Sequence, residues 1–91
     1  MAVTISSVNV GTQVIKIVSA NTRRQELILC NSSTTPDIYL GPDIGVTTAT
    51  GLPLFAGQSR ECVKSFPNYK GDIYGIAASG TADIRVWETT Q

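Results

Sequence analysis

Hydroxyl and thiol side chains are frequent in this sequence, but the residue types that would turn them into nucleophiles are scarce. Ser and Cys attack a substrate only when a neighbouring base takes their proton, and His, the usual base, is absent from all 91 residues. A Ser–Lys pair or a carboxylate would have to serve instead, and no spacing in the sequence supports either. We therefore expect a protein with no catalytic residue and no enzymatic activity.

The sequence also offers little to a metal or another cofactor. Two cysteines, Cys30 and Cys62, fall short of the four ligands of a zinc site, and no His completes the set. They form either a disulfide between two strands or two reduced, buried thiols, and the lack of a visible secretion signal favours thiols. Four aspartates flank predicted turns: Asp37, Asp43, Asp72 and Asp83. Their spacing does not match a calcium-binding loop. We therefore expect them to cap turns by accepting hydrogen bonds from backbone amides.

A glycine-containing segment near the carboxyl end, Gly75–Thr81, has some likeness to a phosphate-binding loop. Such a loop requires a lysine that reaches the phosphates and a helix that begins directly after it. This segment contains no lysine, and the sequence predicts no helix after it. Ser79–Thr81 instead has the length of a tight turn between two strands. We therefore predict a β-hairpin at this point and no nucleotide site.

Residues suited to binding a partner are better represented. Arg23 and Arg24 follow Asn21, and they either grip a carboxylate of a partner or lie solvated at the entrance of a strand. Trp87 has the opposite parity from the aliphatic residues of its strand. It is therefore expected to face outwards, where a ring anchors an interface, stacks on a sugar or lies flat on the rim. Tyr39 is the second ring expected on a binding surface.

The side chains named above are expected to lie on short β-strands. Brief apolar stretches alternate with turn signals along the sequence, and no helical pattern is present. The eight predicted strands span residues 3–10, 13–19, 24–31, 37–40, 45–48, 59–63, 72–78 and 82–88. Leu52–Leu54 is also extended, but Pro53 restricts it to a sheet edge. The last two strands are expected to pair with each other. The pattern predicts one all-β domain over residues 1–91, a small antiparallel β-sandwich or a jelly-roll-like barrel.

Alternation within the strands separates an inner face from an outer one. Ile84 and Val86 point one way, and Arg85 and Trp87 point the other. The third strand departs from this pattern, because Leu27–Cys30 is apolar on both faces. That is typical of a central strand or of one whose outer face meets another subunit, and we favour the second. The candidate interface residues are Arg23, Arg24, Leu27, Leu29, Tyr39 and Trp87.

The charge balance argues against two classes of partner. Seven basic and seven acidic residues cancel, and only 15% of the chain is charged. Nucleic-acid binding requires a basic field for the phosphates, so no nucleic-acid partner is expected. The same neutrality argues against electrostatic attachment to a membrane, and the sequence has no apolar stretch long enough to span one. A weakly charged surface suits a chain that protein partly covers.

Several segments, taken in order, carry a resemblance to a known group. They are Val3–Ile5, Ile17–Asn21 followed by Arg23 and Arg24, Leu27–Ser33, Asp37–Gly41, Val46–Thr48, Gly51–Leu54 with Ala56 and Gly57, and Gly71–Val86. Together they cover nearly the whole chain. The sequence resembles small virion proteins of tailed bacteriophages, of the head-decoration or cement type.

The resemblance implies a compact, non-enzymatic β-sandwich that binds the major capsid protein on the outside of an assembled head. It implies a homo-oligomer, with a trimer favoured, that is made in the host bacterial cytoplasm and resides on the capsid surface. A cement protein stabilises the shell because it binds only the assembled, expanded form. A tail, fibre or connector module is the alternative within the virion. A small glycan-binding β-sandwich, with Trp87 and Tyr39 on one concave face, is the alternative outside it.

Overall fold

A computed structural model describes residues 2–57 and 63–91, and within these ranges the chain forms strands joined by turns and loops. The strands are β1 (Ala2–Val10), β2 (Ile15–Val18), β3 (Arg24–Asn31), β4 (Ile38–Gly41), β5 (Leu52–Leu54), β6 (Val63–Ser65), β7 (Ile73–Ala77) and β8 (Ala82–Thr90). The all-β prediction is confirmed. In the described part of the chain, no helix is long and apolar enough to cross a membrane.

The strands form two antiparallel sheets of four. Sheet A has the order β1-β8-β3-β6, and sheet B has the order β2-β7-β4-β5. Each sheet combines strands that are distant in sequence, so the β-sandwich depends on long-range pairing. Sheet A is built on the long pairing of β1 with β8, whose register runs without interruption from Ala2 opposite Thr90 to Val10 opposite Ala82.

The core lies between the sheets and is made by one parity of each strand. In β8, Ile84 and Val86 are buried while Arg85 and Trp87 are exposed, as their alternation predicts. In β3, Leu27 and Leu29 are completely buried. Sheet B contributes Ile38, Leu40, Leu54, Ile73 and Ala77 to the same cluster. Burial of each Leu or Ile side chain contributes about 1.5–3 kcal/mol, which makes this cluster the main source of stability.

The expected hairpin across Ser79–Thr81 is wrong. β7 belongs to sheet B and β8 to sheet A, so the turn carries the chain from one sheet to the other. Gly80 has a φ of 61°, a left-handed conformation that glycine adopts without steric cost. The turn lies where the sequence predicts it, between β7 and β8, but a turn of this length suits a crossing between layers as well as a hairpin.

The predicted strand over residues 45–48 is also wrong, because residues 43–51 form successive turns. The Asp43 carboxylate accepts a hydrogen bond from the Gly45 amide at 2.9 Å, and the Thr47 carbonyl accepts one from the Gly51 amide at 2.8 Å. These local bonds satisfy the backbone without a strand partner. Most of the predicted strand at residues 59–63, and Cys62 with it, lies outside the described residues.

Candidate interaction surface

The outer face of sheet A is defined by the register of its four strands. One row across the sheet runs from Ile5 through Trp87 and Ile28 to Ser65. The adjacent row runs from Ser7 through Arg85 and Cys30 to Val63. Because opposite residues in antiparallel strands share a face, each row is a line of neighbouring side chains.

Aliphatic and aromatic side chains cluster on this face. We call Val3, Ile5, Ile28, Val63 and Trp87 the outer apolar patch. Ile5 is 67% exposed and Trp87 is 43% exposed, and Val3 and Val63 are similarly accessible. Ile28 is half-buried between them. Four of the six large apolar side chains that are exposed in the described residues therefore belong to one face.

The sequence signal for the patch lies in β1, where the apolar residues change parity. Apolar residues occupy odd positions at Val3 and Ile5 and even positions at Val8 and Val10. The β1–β8 register has no bulge, so the two pairs point to opposite faces. The sandwich core covers Val10 and partly covers Val8, while Val3 and Ile5 remain in solvent. A change of parity within a regular strand indicates that its apolar side chains point into the core at one end of the strand and onto the outer face at the other.

An ion pair borders the patch. Arg85 lies one row away from Trp87, and its guanidinium donates to the Asp83 carboxylate at 2.9 and 3.0 Å. This hydrogen bond lowers the pKa of Asp83 below its ordinary value and raises the pKa of Arg85. Both side chains are accessible, so solvent weakens the attraction, and the pair contributes more to the polarity of the rim than to stability.

The two neighbouring arginines have different positions. Arg23 is exposed and donates to the Gln91 carbonyl at 2.8 Å. Arg24 is only 1% exposed. Its Nε donates to Glu88 at 2.7 Å, and its terminal nitrogens donate to the carbonyls of Ser19 (2.7 Å), Gly71 (3.0 Å) and Tyr69 (3.1 Å). Arg24 does grip a carboxylate, but the carboxylate belongs to its own chain.

Three of the six candidate interface residues are therefore corrected. Arg24, Leu27 and Leu29 are buried inside the single chain, so their side chains do not form part of its surface. The outer face of β3 is instead formed by Ile28 and Cys30, which are half-buried. β3 is apolar on both faces, as its sequence indicates, but Leu27 and Leu29 belong to the buried face and not to the outer one.

Tyr39 lies on β4 in sheet B and Trp87 lies on β8 in sheet A. Both have the outward parity of their own strands, so the predicted concave face with both rings is not formed. The outer face of sheet B also differs in character. There the Lys16 ammonium lies 5.8 Å from the centre of the Tyr74 ring and 3.7 Å from Asp72.

An apolar pocket of about 270 Å³ opens beside β4 and β5. Its walls include Leu40, Leu52, Phe66, Tyr69 and Ile73. The Tyr69 hydroxyl donates to the Asp72 carbonyl at 2.6 Å, so that bond occupies its proton. Ligand sites usually combine an apolar wall with a few converging polar groups. This pocket has the wall, but its described lining offers no charged group to orient a ligand.

Three of the four aspartates that flank predicted turns accept hydrogen bonds from backbone amides, whereas the Asp83 carboxylate accepts from Arg85. Asp72 accepts from Ala20 at 2.7 Å, Asp37 from Ala56 at 2.8 Å, and Asp43 from Gly45 as described above. Within residues 2–57 and 63–91, no group of three or more Cys, Asp or Glu side chains is placed to hold a metal ion.

Comparison of the chain with protein-family models, with curated proteins and with solved structures gave no match. Any statement about function therefore rests on the resemblance of the sequence, on the fold and on the geometry of the outer apolar patch.

Proposed function

We propose that this chain is a non-enzymatic structural protein of a phage virion, a capsid decoration or cement protein. In this proposal it binds the major capsid protein on the outside of the assembled head and is made in the host bacterial cytoplasm. The resemblance of the sequence is the reason for proposing a virion, and its head, as the location of the protein. The outer face of sheet A is the proposed contact surface.

The observation that carries the proposal is the concentration of exposed apolar side chains on that face. Scattered apolar residues are normal on any protein, but a contiguous group is typical of an interaction site. Here Val3 and Ile5 lie on the strand to one side of Trp87, Ile28 lies on the other side, and Val63 lies one strand further. Tryptophan is a frequent anchor in protein interfaces. The Asp83–Arg85 pair provides part of a polar rim of the kind that surrounds such a centre.

The proposed role is mechanical. A protein that binds only the assembled, expanded shell shifts the equilibrium towards that shell by mass action. Many copies contribute together, so each contact can be weak while the total effect on shell stability is large. A folded sandwich with an apolar face fits this role, because a preformed surface loses little conformational entropy when it docks.

A tail, fibre or connector module of the same virion would use the same kind of face. The glycan-binding alternative has lost its main argument, because Trp87 and Tyr39 lie on different sheets. The shell is therefore the first partner to test.

The test is co-sedimentation with expanded heads of the phage that encodes the chain, prepared without it. Trp87→Glu places a charge in the centre of the outer apolar patch. Ile44→Glu makes the same change at a residue that is 70% exposed in the loop after β4, and it serves as the matched control. Both variants should fold, because each changes an exposed side chain.

We expect the native chain and Ile44→Glu to pellet with the heads and Trp87→Glu to stay in the supernatant. A native chain that never pellets would reject the head as the partner and direct the search to isolated tails. Equal pelleting of all three proteins would show that a shell is bound through some other surface.

A further inference from the structure

Edge strands of a sheet carry backbone N–H and C=O groups without a partner, and proteins usually protect such strands against pairing. Three of the four edges in this sandwich have such protection in the described residues. β2 is four residues long, carries Lys16 and is interrupted by a register shift before Val18. β5 is three residues long and contains Pro53. β6 has three described residues, including Lys64.

The fourth edge, β1, has no such protection. It runs for nine residues, Ala2–Val10, with an uninterrupted register to β8 on its inner side. It contains no charged residue, no proline and no glycine. Residues 2–7 are exposed whichever face they point to, so this part of β1 extends beyond the cover of sheet B. A long, regular, uncharged edge strand is the form that pairs with another strand.

We propose that β1 pairs antiparallel with β1 of a second copy of this chain, about a two-fold axis near Ile5. The two A sheets would then form one sheet of eight strands. In this register Ile5 lies opposite Ile5 of the second copy, and Val3 lies opposite Ser7 of the second copy. The inference rests on the edges of the fold and does not depend on the proposed role in a virion.

Self-complementarity is the reason for choosing a second copy as the occupant. A strand without charges meets itself with no like charges opposite each other, which is the usual obstacle to a symmetric strand pair. Val, Ile and Thr make up five of the nine residues, so β1 is itself a strongly β-forming strand. The same segment therefore supplies both halves of the pair.

The outer apolar patch fixes the register. Opposite residues in an antiparallel pair share a face, so a register that sets Ile5 against Ile5 places both patches on the same side of the joined sheet. The two exposed Ile5 side chains would then cover each other, beside Trp87 of each copy. A shift by one residue would put the two patches on opposite sides and leave Ile5 in solvent.

A two-fold strand pair is a closed dimer and replaces the trimer that the resemblance implies. A closed trimer requires a head-to-tail contact between two different surfaces, whereas β1 meeting β1 uses one surface twice. The mass in solution therefore distinguishes the two arrangements.

The experiment is light scattering on the purified chain over a range of concentrations, together with three variants. Ile5→Lys and Ile5→Glu each place like charges at the two-fold axis. Val63→Lys is the matched control, because Val63 is an exposed apolar residue of the same sheet at its other edge. We expect the native chain and Val63→Lys to reach twice the 9.7 kDa of one chain, and both Ile5 variants to stay at 9.7 kDa.

Mixing the two Ile5 variants then tests the register. Opposite charges meet at the axis only in the mixed pair, so the mixture should recover the dimer that each variant lost alone. A native chain that is monomeric throughout, or trimeric, would overturn the proposal. A dimer that survives Ile5→Lys and is lost in Val63→Lys would overturn it equally, because the contact would then lie at the opposite edge.

Discussion

Arg23 and Arg24 show how far one residue type can be interpreted from sequence. Both follow the same turn, and both were expected to have one role. In the fold, Arg23 is exposed and Arg24 is enclosed by Glu88 and by three carbonyls from two loops. Those carbonyls come from residues 5, 45 and 47 positions away. Only the tertiary arrangement selects Arg24, so sequence reasoning had no means to separate the pair.

Arg24→Met should lower the free energy of unfolding by about 3 kcal/mol, because it leaves the Glu88 carboxylate and three carbonyls without their donor. Arg24→Lys should restore little of this loss, since an ammonium does not reproduce the planar donor set of a guanidinium. Urea unfolding measures both changes.

Arg23→Met is the matched control, with an expected change within about 0.5 kcal/mol because Arg23 is exposed. Equal losses at the two positions would contradict the internal role of Arg24.

At the scale of elements, alternation separates the buried Ile84 and Val86 of β8 from the exposed Arg85 and Trp87, and β3 has the predicted bounds. Pairing was harder to predict. Period-two alternation separates inside from outside, but it does not identify the sheet to which a strand belongs. It therefore cannot show that β7 and β8 lie in different sheets. In β2, the irregularity between Lys16 and Val18 buries both Ile17 and Val18, although simple parity sets them on opposite faces.

The segment after β4, residues 42–51, folds back onto the sheet and is held there by local polar contacts. Val46 is buried there, and Gly41 and Gly51 lie against it. A Cβ at Gly51 would lie 2.5 Å from the Tyr39 Cβ and 2.9 Å from a Val46 methyl group. The segment therefore packs too closely for any side chain at position 51, which no strand pattern predicts.

Gly51→Ala should lower stability by about 1–3 kcal/mol through overpacking. Gly11→Ala is the control, because the nearest atom to a Cβ there is 3.9 Å away. Thermal unfolding of the two variants measures the difference. A Gly51→Ala protein as stable as Gly11→Ala would mean that the 42–51 segment does not pack against β4 in solution.

At the scale of the whole molecule, the sandwich has two unlike outer faces. Sheet B presents Lys16, Tyr74 and Tyr39. Sheet A presents the outer apolar patch and the one long, unprotected edge of the described fold. Composition predicted a chain partly covered by protein, and the fold concentrates the uncovered apolar area on one side.

A dimer formed through β1 would also strengthen the proposed binding to a shell. Pairing through β1 would place two outer apolar patches side by side on one eight-stranded sheet. Two linked patches bind a repeated surface more tightly than one, because the second contact forms at a high effective concentration. A shell of identical subunits is such a surface, so a dimer would raise the occupancy of the shell without any new kind of contact.

The central claim is that the outer face of sheet A is covered when the chain binds its shell. Trp87 is the single tryptophan of the sequence, so replacing it with 7-azatryptophan labels that face alone. The most direct measurement is the emission of the labelled chain, excited where shell tryptophans do not absorb, before and after it pellets with expanded heads. We predict that the emission moves to shorter wavelength in the pellet, because water is removed from the ring. A chain that pellets with unchanged emission would contradict the claim.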